Sequence, residues 1–201
     1  MKRKGLAFLT ALLPVFFLAI QAVAADIHLK WDASKGEVTG YRIYYSHTSG
    51  SYSSNNSIDV GNVTDYTIKN FSPNSAYFFV VRAYNSAGES GNSNEVSWPK
   101  VTITTSAQAV NNPDTTISFH ANIQPAPTQA TYKWNFGDGS GTKNVSTPDI
   151  NHQFSSKGNY SVTLSVVFGN GSTIKKTVKI IVQDEKPHKP SKPTIALNQT
   201  S

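Results

Sequence analysis

The chain has 201 residues, of which 38% are hydrophobic and 15% charged, with no cysteine and a formal charge of +6. Without cysteine there is no disulfide, no thiolate metal site and no haem attached through a Cys-x-x-Cys-His motif, so packing alone must hold the fold. Three of the positive charges, Lys2, Arg3 and Lys4, sit at the very start, and the remainder is too weakly basic to imply nucleic acid as a partner.

Those three cations precede an apolar run from Leu6 to Ile20 and a small-residue ending, Ala22-Val23-Ala24-Ala25. This three-part order is that of a secretory signal peptide over residues 1–25, and the run is short and broken by Pro14 for a membrane anchor. The expectation is a secreted chain, extracellular or at the cell surface, with the periplasm as an alternative, and no membrane span after signal cleavage. Export without disulfides leans toward a bacterial source. About 176 residues then remain, enough for two small domains with separate cores.

From Asp26 onward short alternating runs are separated by Gly, Ser, Asn and Pro clusters, which predicts an all-β chain. Leu29 and Trp31 lie two apart, followed by Tyr41, Ile43 and Tyr45, then Tyr66 and Ile68, then Tyr77, Phe79, Val81 and Ala83. Each set puts one face of a strand toward a shared core. The stretch Phe71-Ser72-Pro73-Asn74-Ser75-Ala76-Tyr77, with Phe79, Val81, Ala83, Asn85 and Gly88-Glu89-Ser90, resembles the latter half of a fibronectin type III domain, over residues 26–99. The resemblance implies a core-filling role for Trp31 and a corner hydrogen bond from Tyr77 to nearby backbone. The first strand is very short, so that sheet edge is incomplete or completed by another contact.

If Tyr41, Ile43 and Tyr45 point inward, Arg42 and Tyr44 point out, and on the adjacent strand Phe78, Val80, Arg82 and Tyr84 do the same. This aromatic patch edged by arginine is the candidate binding surface, with Arg42, Tyr44, Phe78, Arg82 and Tyr84 as its residues. Ordinary cross-strand pairing, or burial against a neighbouring domain, is the competing reading. Trp98-Pro99-Lys100 closes this module with almost no linker, and Trp98 is expected as a wedge between the two domains rather than an edge residue.

In the second module Ile117, Phe119 and Ala121 form one core strand, Tyr132, Trp134 and Phe136 another, Tyr160, Val162, Leu164 and Val166 a third, and Val178, Ile180 and Val182 the last. The run Trp134-Asn135-Phe136-Gly137-Asp138-Gly139-Ser140, with His152, Phe154, Gly158 and Tyr160 downstream, resembles the PKD (polycystic kidney disease) domain over residues 100–183. Here Asn135 replaces the family's first aspartate. The resemblance implies a second immunoglobulin-like β-sandwich in which Trp134, Gly137, Asp138, Gly139, His152 and Tyr160 are structural. His152 is expected to hold the Gly-Asp-Gly turn. Residues 184–201 form a Pro/Lys-rich linker or tail ending in Thr194-Ile195-Ala196-Leu197-Asn198, which looks like the first strand of a further domain or one that pairs elsewhere.

The histidines show no metal-ligand spacing, and the acids offer no glycosidase-like pair. Asp114, Asp138 and Asp149 are weak calcium candidates on the PKD resemblance, and three dispersed acids fall short of the oxygen ligands that calcium needs. No cofactor and no catalytic residue is expected. The function expected is a non-enzymatic adhesion, spacer or binding module with an extracellular protein or polysaccharide as partner. The alternative is an accessory, substrate-targeting fragment of a secreted polysaccharide hydrolase or protease.

Overall fold

The computed structural model describes residues 24–184 and residue 192, and among them it contains β-strands and a single 3-10 turn at Ser54–Asn56 but no α-helix. Residues 1–23 of the proposed leader and the segment 194–198 lie outside the described residues. In the first module, β1 (Ala25–Lys30) and β4 (Asp65–Phe71) form a two-stranded antiparallel sheet. The sheet opposite runs β3 (Ser57–Gly61), β2 (Gly40–Ser46), β5 (Tyr77–Asn85) and β6 (Gly88–Glu89), with β7 (Val96–Trp98) also pairing β5. Ile27, Ile68 and Phe71 from one sheet meet Ile43 and Phe79 from the other.

Period two holds along β2 and β5 and breaks in β4. Ala25 pairs with Phe71 but Ile27 pairs with Ile68, so β4 carries one extra residue, and Asn70 takes a φ of 67° there. That bulge turns Ile68 and Phe71, three apart, to the same buried face. Tyr66, expected in the core with Ile68, is instead 38% exposed, opposite Leu29 and outside the packed cluster. Trp31 is half-buried, its ring 5.7 Å from that of Tyr41.

The second module has a three-stranded sheet, β13 (Asp149–Gln153), β10 (Thr116–Gln124) and β8 (Lys100–Thr105). A five-stranded sheet packs on it in the order β12 (Thr142–Val145), β11 (Ala130–Asn135), β14 (Gly158–Phe168), β15 (Thr173–Val182) and β9 (Ala109–Val110). β9 runs parallel to β15, with Ile181 N–H donating to Gln108 and Gln183 N–H to Val110, both at 2.9 Å. Every inward position expected on β10 is buried, as are Tyr132, Trp134 and Phe136. Trp134 and Phe136 stack in parallel, and Phe119 meets both.

Only Pro99 separates β7 from β8. The two cores are not separate: Ala76 and Phe78 of the first module belong to the packed cluster of the second, and Tyr52 leans on it. Trp98 is not the wedge, since its ring packs within its own module against Phe71 and Tyr77. The residues that cross are on β5 and its preceding turn, because the outward face of β5 meets the second module at that end.

Candidate functional site

The outer face of β2 and β5 brings Arg42 opposite Arg82 and Tyr44 opposite Val80. Two like charges directly across a sheet repel, and here each guanidinium is drawn onto a ring instead. Arg42 lies 4.8 Å from the centre of the Tyr84 ring and Arg82 lies 4.1 Å from that of Tyr44. Two carboxylates close the array. Glu89 accepts from the Tyr44 hydroxyl at 2.7 Å and from both arginines. Asp59 accepts from Arg42 at 3.3 Å and from the Tyr84 hydroxyl at 3.0 Å. Gly40 leaves room for the Tyr84 ring, because a Cβ there would sit 2.5 Å from the Tyr84 hydroxyl and displace it.

The Tyr44 hydroxyl, followed by the two guanidiniums, holds the Glu89 carboxyl below its ordinary range against the burial that opposes this. The Gly61 amide and then the Tyr84 hydroxyl do the same for Asp59. Two cations and two anions leave the face neutral, with its donors and acceptors engaged with each other. Tyr44 is buried beneath Arg82, and Phe78, expected outside, is 6% exposed because it enters the second core. Val80 is buried as well. The five residues of the expected patch therefore divide into a closed ionic array and one junction anchor.

A different surface opens at the junction. A groove of about 1010 Å³ runs between β8 and β15, walled by Lys100, Thr102, Thr173 and Lys176 and roofed by Ser49 and Glu95. Among the described residues β8 pairs only with β10, and β9 covers β15 only at Ile181 and Val182, so both walls present strand edges. Glu95 organises the roof: it accepts from Ser49 Oγ at 2.7 Å, Gly50 N–H at 2.8 Å and the Tyr52 hydroxyl at 2.6 Å. Burial works against its charge, and these donors, with Lys176 nearby, hold the carboxyl below its usual range. Burial, and then Glu95, push the Tyr52 phenol up.

Polar clamps pin the junction. The Asn74 side chain accepts from Thr128 N–H at 2.8 Å and donates to Thr128 Oγ1 at 2.8 Å. Ala76 N–H donates to Ser172 Oγ at 2.7 Å, and His47 Nδ1 to the Ala76 carbonyl at 2.7 Å.

The Gly-Asp-Gly turn is a third polar cluster. Asn135 accepts from Gly137 N–H at 2.9 Å, so the amide replaces a carboxylate as a turn cap without loss of geometry. Gly137 has a φ of 74°, and a Cβ would meet the Ser161 carbonyl at 2.9 Å. Asp138 accepts from Ser140 N–H at 3.0 Å, from Ser140 Oγ at 2.7 Å and from His152 Nε2 at 2.6 Å. Burial alone would raise its pKa, and these bonds bring it down to about 2. The His152 ring stacks on Phe136 with centroids 3.7 Å apart. His152 thus locks the turn onto the core.

Residues 14–98 match the family model of the fibronectin type III domain, and residues 96–182 match that of the PKD domain. The chain is a fibronectin type III domain followed by a PKD domain. Neural cell adhesion molecule L1.1 of Danio rerio is 39% identical over 83 residues, covering 38% of this chain and 7% of that protein. Polycystin-1 of Homo sapiens is 40% identical over 50 residues, covering 25% of this chain and 1% of that protein. A solved structure described under the specificity of carbohydrate-binding modules from the β-sandwich superfamily aligns with a TM-score of 0.38 at 27% identity, covering 42% of this chain and 34% of that one. The chain thus spans less than a tenth of the curated relatives' length.

The tyrosine corner of the tandem lies in the PKD domain, where the Tyr160 hydroxyl donates to the Ser156 carbonyl at 2.7 Å. Tyr77 of the fibronectin type III domain, expected to make such a bond, acts through its ring, edge-on to Phe71 and against His47 and Trp98. Its place at the junction gives it aromatic neighbours on three sides. The calcium candidates do not converge: Asp138 serves His152, Asp149 accepts from His120 at 2.7 Å, and Asp114 sits in a turn with a φ of 62°. Among the described residues no group of three or more His, Asp or Glu is placed to hold a metal ion. Glu95, Tyr52 and Asn74 escaped sequence reasoning because their partners lie 43 to 54 residues away.

Proposed function

We propose that this chain is an exported, non-enzymatic binding and spacer module that makes protein or polysaccharide contacts at or outside the cell surface, through the groove between its two domains. The observation that carries this reading is that groove: its volume matches ligand sites of roughly 300–1,000 Å³, and a shared core and two polar clamps hold its walls. Hydroxyls, lysines and strand edges along it suit an extended polymer, whether a glycan or a peptide. The domain types and the similarity to a neural cell adhesion molecule support the same class of role. Substrate targeting for a secreted hydrolase or protease is the second reading, favoured if the partner is an insoluble substrate.

The test is retention of the purified mature protein on a panel of insoluble polysaccharides and immobilised surface proteins. Retention on one partner that Thr102→Trp abolishes and Tyr84→Ala spares supports the groove. Retention lost instead with Tyr84→Ala moves the site to the arginine–tyrosine face, and failure on the whole panel leaves a spacer. Export is checked separately by N-terminal sequencing of the secreted protein, with Ala25 or Asp26 expected first.

A further inference from the structure

The fibronectin type III domain is unevenly built. β1 pairs β4 on one side, and its other edge carries no strand among the described residues. Beside that edge runs a groove of about 480 Å³ in which Leu29, Trp31, Phe79, Val81 and Val96 alternate with the polar Lys30, Asp32, Ser93 and Asn94. Val96 is 44% exposed there, among the most exposed large apolar side chains described. The family match begins at residue 14, so it has positions ahead of β1 that fall within the proposed leader. Removal of the leader on export takes those positions away. An open edge next to a groove with apolar and polar side chains in turn is a template for an added amphipathic strand.

We infer that this edge accepts residues 193–198 of a second copy of the chain, joining molecules head to tail. The segment Pro193-Thr194-Ile195-Ala196-Leu197-Asn198 alternates in the same way as Ile27, Leu29 and Trp31, so Ile195 and Leu197 enter the groove while Thr194 and Ala196 face solvent. Antiparallel addition to β1 brings Lys192 to the end where Asp32 stands, an attractive pairing.

Reach selects the second copy over the same one. β15 starts beside the junction, where Ser172 bonds Ala76, and its ten residues carry the chain about 33 Å away from it. The ten residues 183–192 span at most about 36 Å. A fully extended tail only just regains the junction of its own molecule, with no slack to pass round the sandwich to β1.

The inference rests on the export reading, because a retained leader would compete for the edge. Sedimentation of the mature chain is expected to show concentration-dependent self-association, weakened at least tenfold by the double substitution Ile195→Asp, Leu197→Asp. In a chain without cysteine, mixing an Asp32→Cys variant with a Lys192→Cys variant is expected to give a disulfide-linked heterodimer under mild oxidation. A monomer at every concentration with no heterodimer overturns the inference, and so does association indifferent to the tail substitutions. N-terminal sequencing that finds residues 14–24 retained also overturns it, and shows that the export reading failed first. Partner retention by the tail variant separates this inference from the interdomain groove, which the substitutions leave intact.

Discussion

The two sandwiches solve the same packing problem with different means. The PKD domain encloses Trp134, Phe119, Phe136 and Phe154 almost completely between two sheets, and its polar turn is stapled to that core by His152 stacked on Phe136. Among the described residues the fibronectin type III domain closes one side with two strands, leaves several rings half-buried, and ties its outer face with an arginine, tyrosine and carboxylate array. It also lends Ala76 and Phe78 to its neighbour's core. A small domain with a thin sheet gains stability from what it leans on, so the junction matters more to the first module than to the second.

The strongest way to break this contrast is to hollow the better core. Trp134→Ala is expected to cost about 3–5 kcal/mol and to unfold the PKD domain first, read by urea titration with circular dichroism. Next comes the link: Phe78→Ala is expected to cost about 3 kcal/mol and to split one thermal transition into two, with the fibronectin type III domain melting lower. A single, merely shifted transition would mean that the domains are not coupled through Phe78.

Acid sharpens the comparison. Asp138 has a folded-state pKa near 2, below its ordinary value of 3.8, so its contribution is complete above about pH 4 and is lost as pH falls toward 2. Up to about 2 kcal/mol of PKD stability is expected to disappear over that window, and Asp138→Asn should flatten the profile. The smallest effect belongs to the exposed array: Glu89→Gln is expected to lower the melting temperature of the first domain slightly, by an amount that shrinks in 1 M salt.

Residue patterning alone reads the PKD domain nearly to the side chain, because its strands alternate apolar and polar residues cleanly. The same rule places Phe78 and Val80 on the outside of β5, which is geometrically right, but it carries no information about what packs there. Tyr44 and Arg82 were legible as neighbours on one face; their stacking, and the two carboxylates that neutralise them, depend on turns that return Asp59 and Glu89 to the sheet. The bulge at Asn70 was not legible because the three-residue step from Ile68 to Phe71 reads in sequence as the end of a strand rather than as an extra residue within one. The groove at the junction is built from contacts between distant residues, and local sequence has no means of announcing it.

The parallel pairing of β9 with β15 bears on mechanics. Tension applied along the tandem enters the PKD domain at Lys100 and leaves at Gln183, drawing the two strands past one another. Their hydrogen bonds are then loaded together in shear rather than opened in turn like a zipper. A pull along the tandem therefore meets a shear-loaded strand pair at the end of β15 farthest from the junction.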